Sequence, residues 1–140
     1  MSPISTVQAT SEGAPWQVVL SDNHGNHWLG DEPGDNGGGN TGPSPEHLLL
    51  SSLGACTAIT LRMYAARKQW PLAGVAVTLQ FNPDGKPASG NDIRREIVLT
   101  GALDADQRER LLQVANACPI HKVLTGEVRI ATALDATAQG

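Results

Sequence analysis

The stretch Ser44-Pro45-Glu46-His47-Leu48-Leu49-Leu50-Ser51-Ser52-Leu53-Gly54-Ala55-Cys56-Thr57, continuing through Ala58-Ile59-Thr60-Leu61-Arg62-Met63-Tyr64 to Lys68, decides the fold. Ser44 supplies a helix N-cap, Pro45 suits the first helical position and Glu46 places an acid against the positive helix end. From Leu48 to Lys68 there is no proline and a single glycine, Gly54. Leu48, Leu53, Cys56, Ile59, Leu61 and Met63, with their apolar neighbours, cover nearly the whole circumference. A helix apolar all round is expected to be buried on all sides. Arg67 and Lys68 complement its negative end, and Trp70-Pro71 closes it.

Outward from this helix the pattern changes. Upstream, Val7–Thr10, Trp16–Leu20 and His27–Leu29 are β-compatible runs separated by turn residues, which predicts an antiparallel meander. Asp31 to Pro43 is dominated by Gly, Asn, Asp and Pro with no apolar anchor, and reads as a flexible Gly-rich surface loop (31–43). Downstream, Val75–Phe81 and Ile93–Thr100 read as two strands around an Asn82-Pro83-Asp84-Gly85 turn. A helix capped by Asp104 or Asp106 follows, with an apolar stripe of Leu111, Leu112, Val114 and Ala115. Pro119 disfavours helical geometry at Cys118 and opens a short helix to Leu124. Val128–Ala131 is expected to form a last strand, and the tail at 133–140 to fray.

The element order is therefore β-β-β-α-β-β-α-α-β, an α+β chain read as a single domain over 1–140. One sheet covers only one side of an all-apolar helix. An intertwined homodimer, with two such helices burying each other between two β-sheets, satisfies the remaining surface.

Composition narrows the function. The chain has 140 residues, 40% of them hydrophobic and 17% charged, which is a folded soluble composition rather than a disordered one. The formal net charge of −4 argues against a nucleic-acid partner. No Lys or Arg precedes Arg62, so the first part of the chain is purely acidic; a solvated anionic edge is the plain reading. No uninterrupted apolar run approaches the ~18 residues of a membrane span. The segment Met1–Thr6 lacks the basic and apolar parts of a secretory signal, so a cytoplasmic address is expected.

The chemistry rests on two cysteines, Cys56 and Cys118. They are two packed thiols, part of a metal site, or a redox pair. Cys56, within the apolar helix, reads alone as a small buried filler. Cys118 precedes Pro119 and can cap the following helix, whose N-terminus would stabilise its thiolate. Cys118 and His121 have half the spacing of a zinc site, but the other ligands are missing, so neither a metal nor a cofactor is expected. Glu46 lies about 15 Å along a straight helix from Cys56. The two meet only if the lead-in folds back or the acid comes from a second subunit.

The segments Ser44 to Thr57 and Ala117-Cys118-Pro119-Ile120-His121-Lys122-Val123-Leu124 together resemble the OsmC/Ohr family, the osmotically inducible and organic-hydroperoxide-resistance proteins. The resemblance implies two swapped protomers with central helices between β-sheets, and thiol peroxidase chemistry at the dimer interface in answer to oxidative stress. By motif position it implies Cys56 as the peroxidatic cysteine, Cys118 as the resolving cysteine and Glu46 as the acid that supports the site. Cys56 would attack an organic hydroperoxide and become a sulfenic acid. Cys118 would then close a redox-active disulfide, which an external dithiol reduces. Peroxidatic members also use an early-strand arginine, whereas this chain offers only His24 and His27 there, and Arg94 or Arg95 later. The alternative expectation is a dimer of the same fold that binds an apolar small molecule.

Overall fold

The computed structural model describes residues 4–135. Three short strands come first: β1 (Val7–Thr10), β2 (Val18–Asp22) and β3 (His27–Gly30). They form an antiparallel meander in the order β1-β2-β3, with Ala9 opposite Leu20 and Leu20 opposite Trp28. The second strand begins later than the sequence suggests. Trp16 stays outside it because Gln17 is held in a turn by a hydrogen bond from its N–H to the Ala14 carbonyl.

Helix α1 (Pro45–Lys68) starts where the Ser-Pro-Glu signal places it. The Ser44 hydroxyl accepts the His47 N–H at 3.3 Å and lies 2.6 Å from the His47 ring Nδ1. Strands β4 (Leu72–Phe81) and β5 (Ile93–Gly101) form a second, two-stranded antiparallel sheet. Helix α2 (Ala105–Ala115) is capped by Asp104 rather than Asp106. The Asp104 carboxylate accepts the Gln107 N–H, and the Gln107 side chain accepts the Asp104 N–H in return. Helix α3 (Pro119–Thr125) has Pro119 at its first position, where a missing N–H costs nothing.

Two compact units make up the chain, residues 1–55 with 76–98 and residues 56–75 with 99–140. In the first, Leu20 and Leu53 are buried, and α1 comes close to β4 at Gly54. A Cβ there would lie 2.9 Å from Leu79 Cδ1. In the second, Leu61, Ala65, Leu111, Ala115 and Cys118 form the buried core. Arg62 donates to the Leu72 and Ala73 carbonyls, and Arg108 to those of Leu99 and Gly101.

Four sequence expectations need correction. First, α1 is not buried all round. Leu53, Thr57, Leu61 and Ala65, spaced four apart on one face, are buried, while Ile59 and Met63 are 55% and 63% exposed. One chain covers a helix on one side only. By length and composition alone α1 is also long enough to cross a membrane, a test that core helices of soluble proteins pass too. Ser51, Ser52, Thr57 and Thr60 break up its apolar sequence.

Second, residues 128–131 form no strand. Among the described residues they join neither sheet, and Val128 and Ile130 stand exposed. Of the frayed tail expected at 133–140, residues 133–135 are exposed and irregular, and 136–140 lie outside the described residues. Third, the 31–43 loop is organised around a buried acid. Asp31 is only 3% exposed, and its carboxylate accepts the Thr41 hydroxyl at 2.6 Å, the Thr41 N–H at 3.1 Å and the Glu32 N–H at 2.8 Å. A 3-10 turn at Gly34–Asn36 and a hydrogen bond from the Asn40 N–H to the Glu32 carbonyl complete the loop. Composition conveys the polarity of such a segment but not that its own acid satisfies its amides. Fourth, Leu112 in the expected stripe of α2 is half exposed, because the buried line runs through Leu111 and Ala115.

Candidate functional site

Both cysteines belong to the second compact unit, where the middle of α1 meets the start of α3. Helix α1 holds Cys56 half-buried, with Thr57 beside it fully buried. Helix α2 ends at Ala115, and two residues of turn bring the fully buried Cys118 to the position before Pro119. Neither is in a disulfide.

Two hydrogen-bonding contacts tie the thiols to this junction. The Ile120 N–H donates to Cys56 Sγ at 3.5 Å, and Thr57 Oγ1 lies 4.0 Å from Cys118 Sγ. Because Ile120 follows Cys118 closely in α3 and Thr57 adjoins Cys56 in α1, each thiol is anchored through the other's neighbourhood. Thr60 Oγ1 adds a contact of 3.9 Å to Cys56 Sγ, one helical turn along.

The physical origin of the Ile120 contact is simple. The first amides of a helix have no partner within it. Pro119 has no N–H to offer, so the Ile120 amide is the first donor of α3, and the Cys56 sulfur receives it. An N–H aimed at sulfur interacts more strongly with a thiolate than with a thiol. The sequence assigned the benefit of this helix end to Cys118. The structure gives it to Cys56 instead. Cys118 takes the extended N-cap conformation (φ −66°, ψ 151°), but its side chain makes no capping hydrogen bond.

Of the other candidate residues, Glu46, His24, His27 and Arg94 belong to the first compact unit and His121 to the second. Glu46 is exposed in the first turn of α1, near the positive helix end. His24 and His27 are exposed on the meander, and His24 donates its N–H to the Asp22 carboxylate. Arg94 pairs at 2.9 Å with Asp84, both side chains well exposed. His121 is half-buried within α3, and its carbonyl accepts the Thr125 hydroxyl. Among the described residues, no three His, Cys, Asp or Glu side chains converge as metal ligands.

Thr57, Thr60 and the Ile120 amide were not singled out from the sequence. Cys56 and Thr60 have the spacing of one helix face, and a proline at the first helical position predicts an unpartnered amide just after it. Which sulfur that amide meets depends on how α3 packs against α1. The first unit holds a separate cavity of about 280 Å³, lined by Trp16, Val18, Leu20, Gly30 and Leu48 with Asp31 at its edge.

The model of the OsmC-like protein family matches residues 37–133. Among solved structures, an OsmC-like protein from Mycoplasma pneumoniae superposes with a TM-score of 0.74 at 18% identity, covering 90% of each chain. An organic hydroperoxide resistance protein OsmC from Legionella pneumophila gives 0.64 at 20% identity, over 89% of this chain and 90% of that one. The organic hydroperoxide resistance protein OhrB of Bacillus subtilis gives 0.56 at 22% identity, over 87% and 90%. No curated protein matches the chain.

Proposed function

Starting from this chain's membership of the OsmC-like family, we propose that it is a cysteine-dependent peroxidase that reduces organic hydroperoxides to alcohols. The observation that carries the reading is the junction itself: two thiols, one half-buried and one buried, with an amide donor aimed at the more accessible sulfur. Solved relatives named as organic hydroperoxide resistance proteins support the substrate class.

Cys56 thiolate attacks the outer oxygen of the hydroperoxide. The O–O bond breaks, the departing alkoxide takes a proton from solvent to give the alcohol, and Cys56 keeps the outer oxygen with its hydrogen as a sulfenic acid. Negative charge starts on Cys56 Sγ, where the Ile120 N–H and the Thr60 hydroxyl stand, and passes to the departing oxygen during this step. The Cys118 thiol then attacks the sulfenic sulfur, water leaves, and a Cys56–Cys118 disulfide forms. An external dithiol reduces it by exchange and is itself oxidised to a disulfide. The exposed Ile59, one helical turn from Cys56 on α1, suits an alkyl hydroperoxide better than hydrogen peroxide.

In this reading the working form is a cytoplasmic homodimer that covers the exposed Ile59 and Met63 of α1. Glu46 is the supporting acid. Because α1 already begins at Pro45, Glu46 is fixed about 15 Å along the helix from Cys56, so it serves the thiol of a second protomer.

A second reading is favoured by the apolar cavity beside Trp16, Leu20 and Leu48, which suits a small apolar ligand. Rapid mixing with an alkyl hydroperoxide, and in parallel with hydrogen peroxide, separates the two. Under the peroxidase reading both thiols disappear stoichiometrically, faster with the alkyl peroxide. Cys56→Ser abolishes the reaction, and Cys118→Ser stops it at a trapped Cys56 sulfenic acid. Thiol loss no faster than that of free cysteine, together with thermal stabilisation by an apolar ligand, would favour the binding reading.

A further inference from the structure

A second cluster in the same unit as the cysteines takes no part in this chemistry. Tyr64, the single tyrosine of the chain, is surrounded by cations. Arg110 of α2 donates its Nε–H to the Tyr64 oxygen at 2.9 Å, and its guanidinium carbon lies 5.5 Å from the ring centroid. Lys68 Nζ lies 5.7 Å from the same centroid. Trp70 packs edge-on against the ring at 5.5 Å and fixes its orientation. Tyr64, Arg67 and Lys68 line a concavity of about 300 Å³.

This corner is electrostatically unbalanced. The chain carries a formal charge of −4, yet three cations meet here without a carboxylate. Among the described residues neither Arg67, Lys68 nor Arg110 forms an ion pair, so none of the three is paired directly with Asp106 or Glu109 of α2. Arg67 and Lys68 complement the negative end of α1, which accounts for their position. It does not account for Arg110, which comes from another helix, nor for two cations on one ring. Arg110 is also held in place, since Nη1 donates to Gln113 Oε1 at 3.0 Å.

The hydrogen-bond polarity makes the phenol a donor. Its oxygen already accepts from Arg110, which leaves its own O–H available to donate. The Arg110 hydrogen bond, aided by the charges of Arg110, Lys68 and Arg67 and opposed by burial, lowers the Tyr64 pKa from its usual value. An acidified hydroxyl among fixed cations is a strong hydrogen-bond donor to an anion.

We propose that Tyr64, Arg67, Lys68 and Arg110 form a binding site for a small soluble phosphate monoester, distinct from the cysteine junction. Three cations match a dianion better than a monoanion such as a carboxylate. A volume of about 300 Å³ exceeds that of a phosphate group and reaches the lower end of small-molecule sites, leaving room for the esterified part.

The single tyrosine provides a site-specific readout, because its ionisation is followed by near-ultraviolet absorbance. An anion that accepts the Tyr64 O–H favours the protonated phenol. Glycerol 3-phosphate and inorganic phosphate should therefore move the Tyr64 titration upward, saturably, while sodium chloride at matched ionic strength does not. Calorimetry at neutral pH should find glycerol 3-phosphate bound more tightly than inorganic phosphate. Lys68→Gln, an exposed change at the helix end, should weaken binding about tenfold, as expected for one lost hydrogen bond to a charged group. Arg110→Gln should weaken it further and raise the Tyr64 titration without any ligand. An equal shift with chloride would reduce the effect to screening and overturn the site. Binding of the ester no tighter than phosphate would overturn the assignment to an organic monoester, and unchanged affinity in Lys68→Gln would overturn its place in the site.

Discussion

Replacing Gly54 by alanine sets two forces of similar size against each other where α1 comes close to Leu79 of β4. Glycine inside a helix is less favourable than alanine by about 1 kcal/mol, because it loses more backbone freedom on folding. A Cβ at this position, however, would lie 2.9 Å from Leu79 Cδ1, closer than carbon atoms approach without repulsion. The obstacle is the mobile end of a side chain rather than backbone, so Leu79 can rotate aside at a cost of about 0.5–1.5 kcal/mol. The two effects nearly cancel, and Gly54→Ala is expected to change stability by less than about 0.5 kcal/mol. With Leu79→Ala already present the obstacle is gone, and the same change should stabilise by about 1 kcal/mol. The measurement is urea unfolding of the four proteins of this cycle at one fixed protomer concentration, since any dimerisation adds to apparent stability. Alanine should move the midpoint upward by about 0.3–1 M in the Leu79→Ala background and hardly at all in the wild type. Equal shifts in both backgrounds would show that contact with Leu79 does not select the glycine.

Three further outcomes follow from the same structure. Leu61→Ala removes a fully buried side chain of α1 and should cost about 2–5 kcal/mol, read from thermal or urea unfolding. The Thr41 hydroxyl, with amides of Thr41, Glu32 and Gly39, holds the Asp31 carboxyl below its ordinary value of 3.8 against the opposing effect of burial. A depressed folded-state pKa means that its stabilisation is complete above the unfolded value and is lost as pH falls through the folded value. Order in the 31–43 loop, followed by amide exchange of Thr41 and Asn40, should thus hold at mild acidity and fail only below pH 3.8. Finally, Ile59→Glu with Met63→Glu should turn the proposed homodimer into monomers by sedimentation, because it places charge on the apolar face that one chain leaves exposed. An unchanged sedimentation coefficient would place that face outside any interface.

Local rules already fixed much of this protein from its sequence. Ser44-Pro45-Glu46 marked the start of α1, Asp104 with Gln107 capped α2, and Pro119 opened α3. Each depends on groups within a turn of one another, so their chemistry is set before the chain folds. The alternation of β4 and β5 and the turn residues between the first three strands were legible for the same reason. The two cysteines and their flanking motifs pointed to the OsmC/Ohr family, and the family match agrees.

Tertiary structure decided what depends on residues distant in the chain. Asp31 and Thr41 read as solvated loop polars, yet together they organise the loop, because burial makes an unpaired carboxylate too costly to leave unsatisfied. The amide of Ile120 could have met solvent or Cys118, and packing of α3 against α1 delivered it to Cys56. Tyr64 and Arg110 give no sign in sequence of belonging together, and the fold alone makes them a hydrogen-bonded pair. The circumference of α1 was legible as apolar, but which side is covered was not. Periodicity reports what a helix has to bury, and only its neighbours in space determine which face it buries.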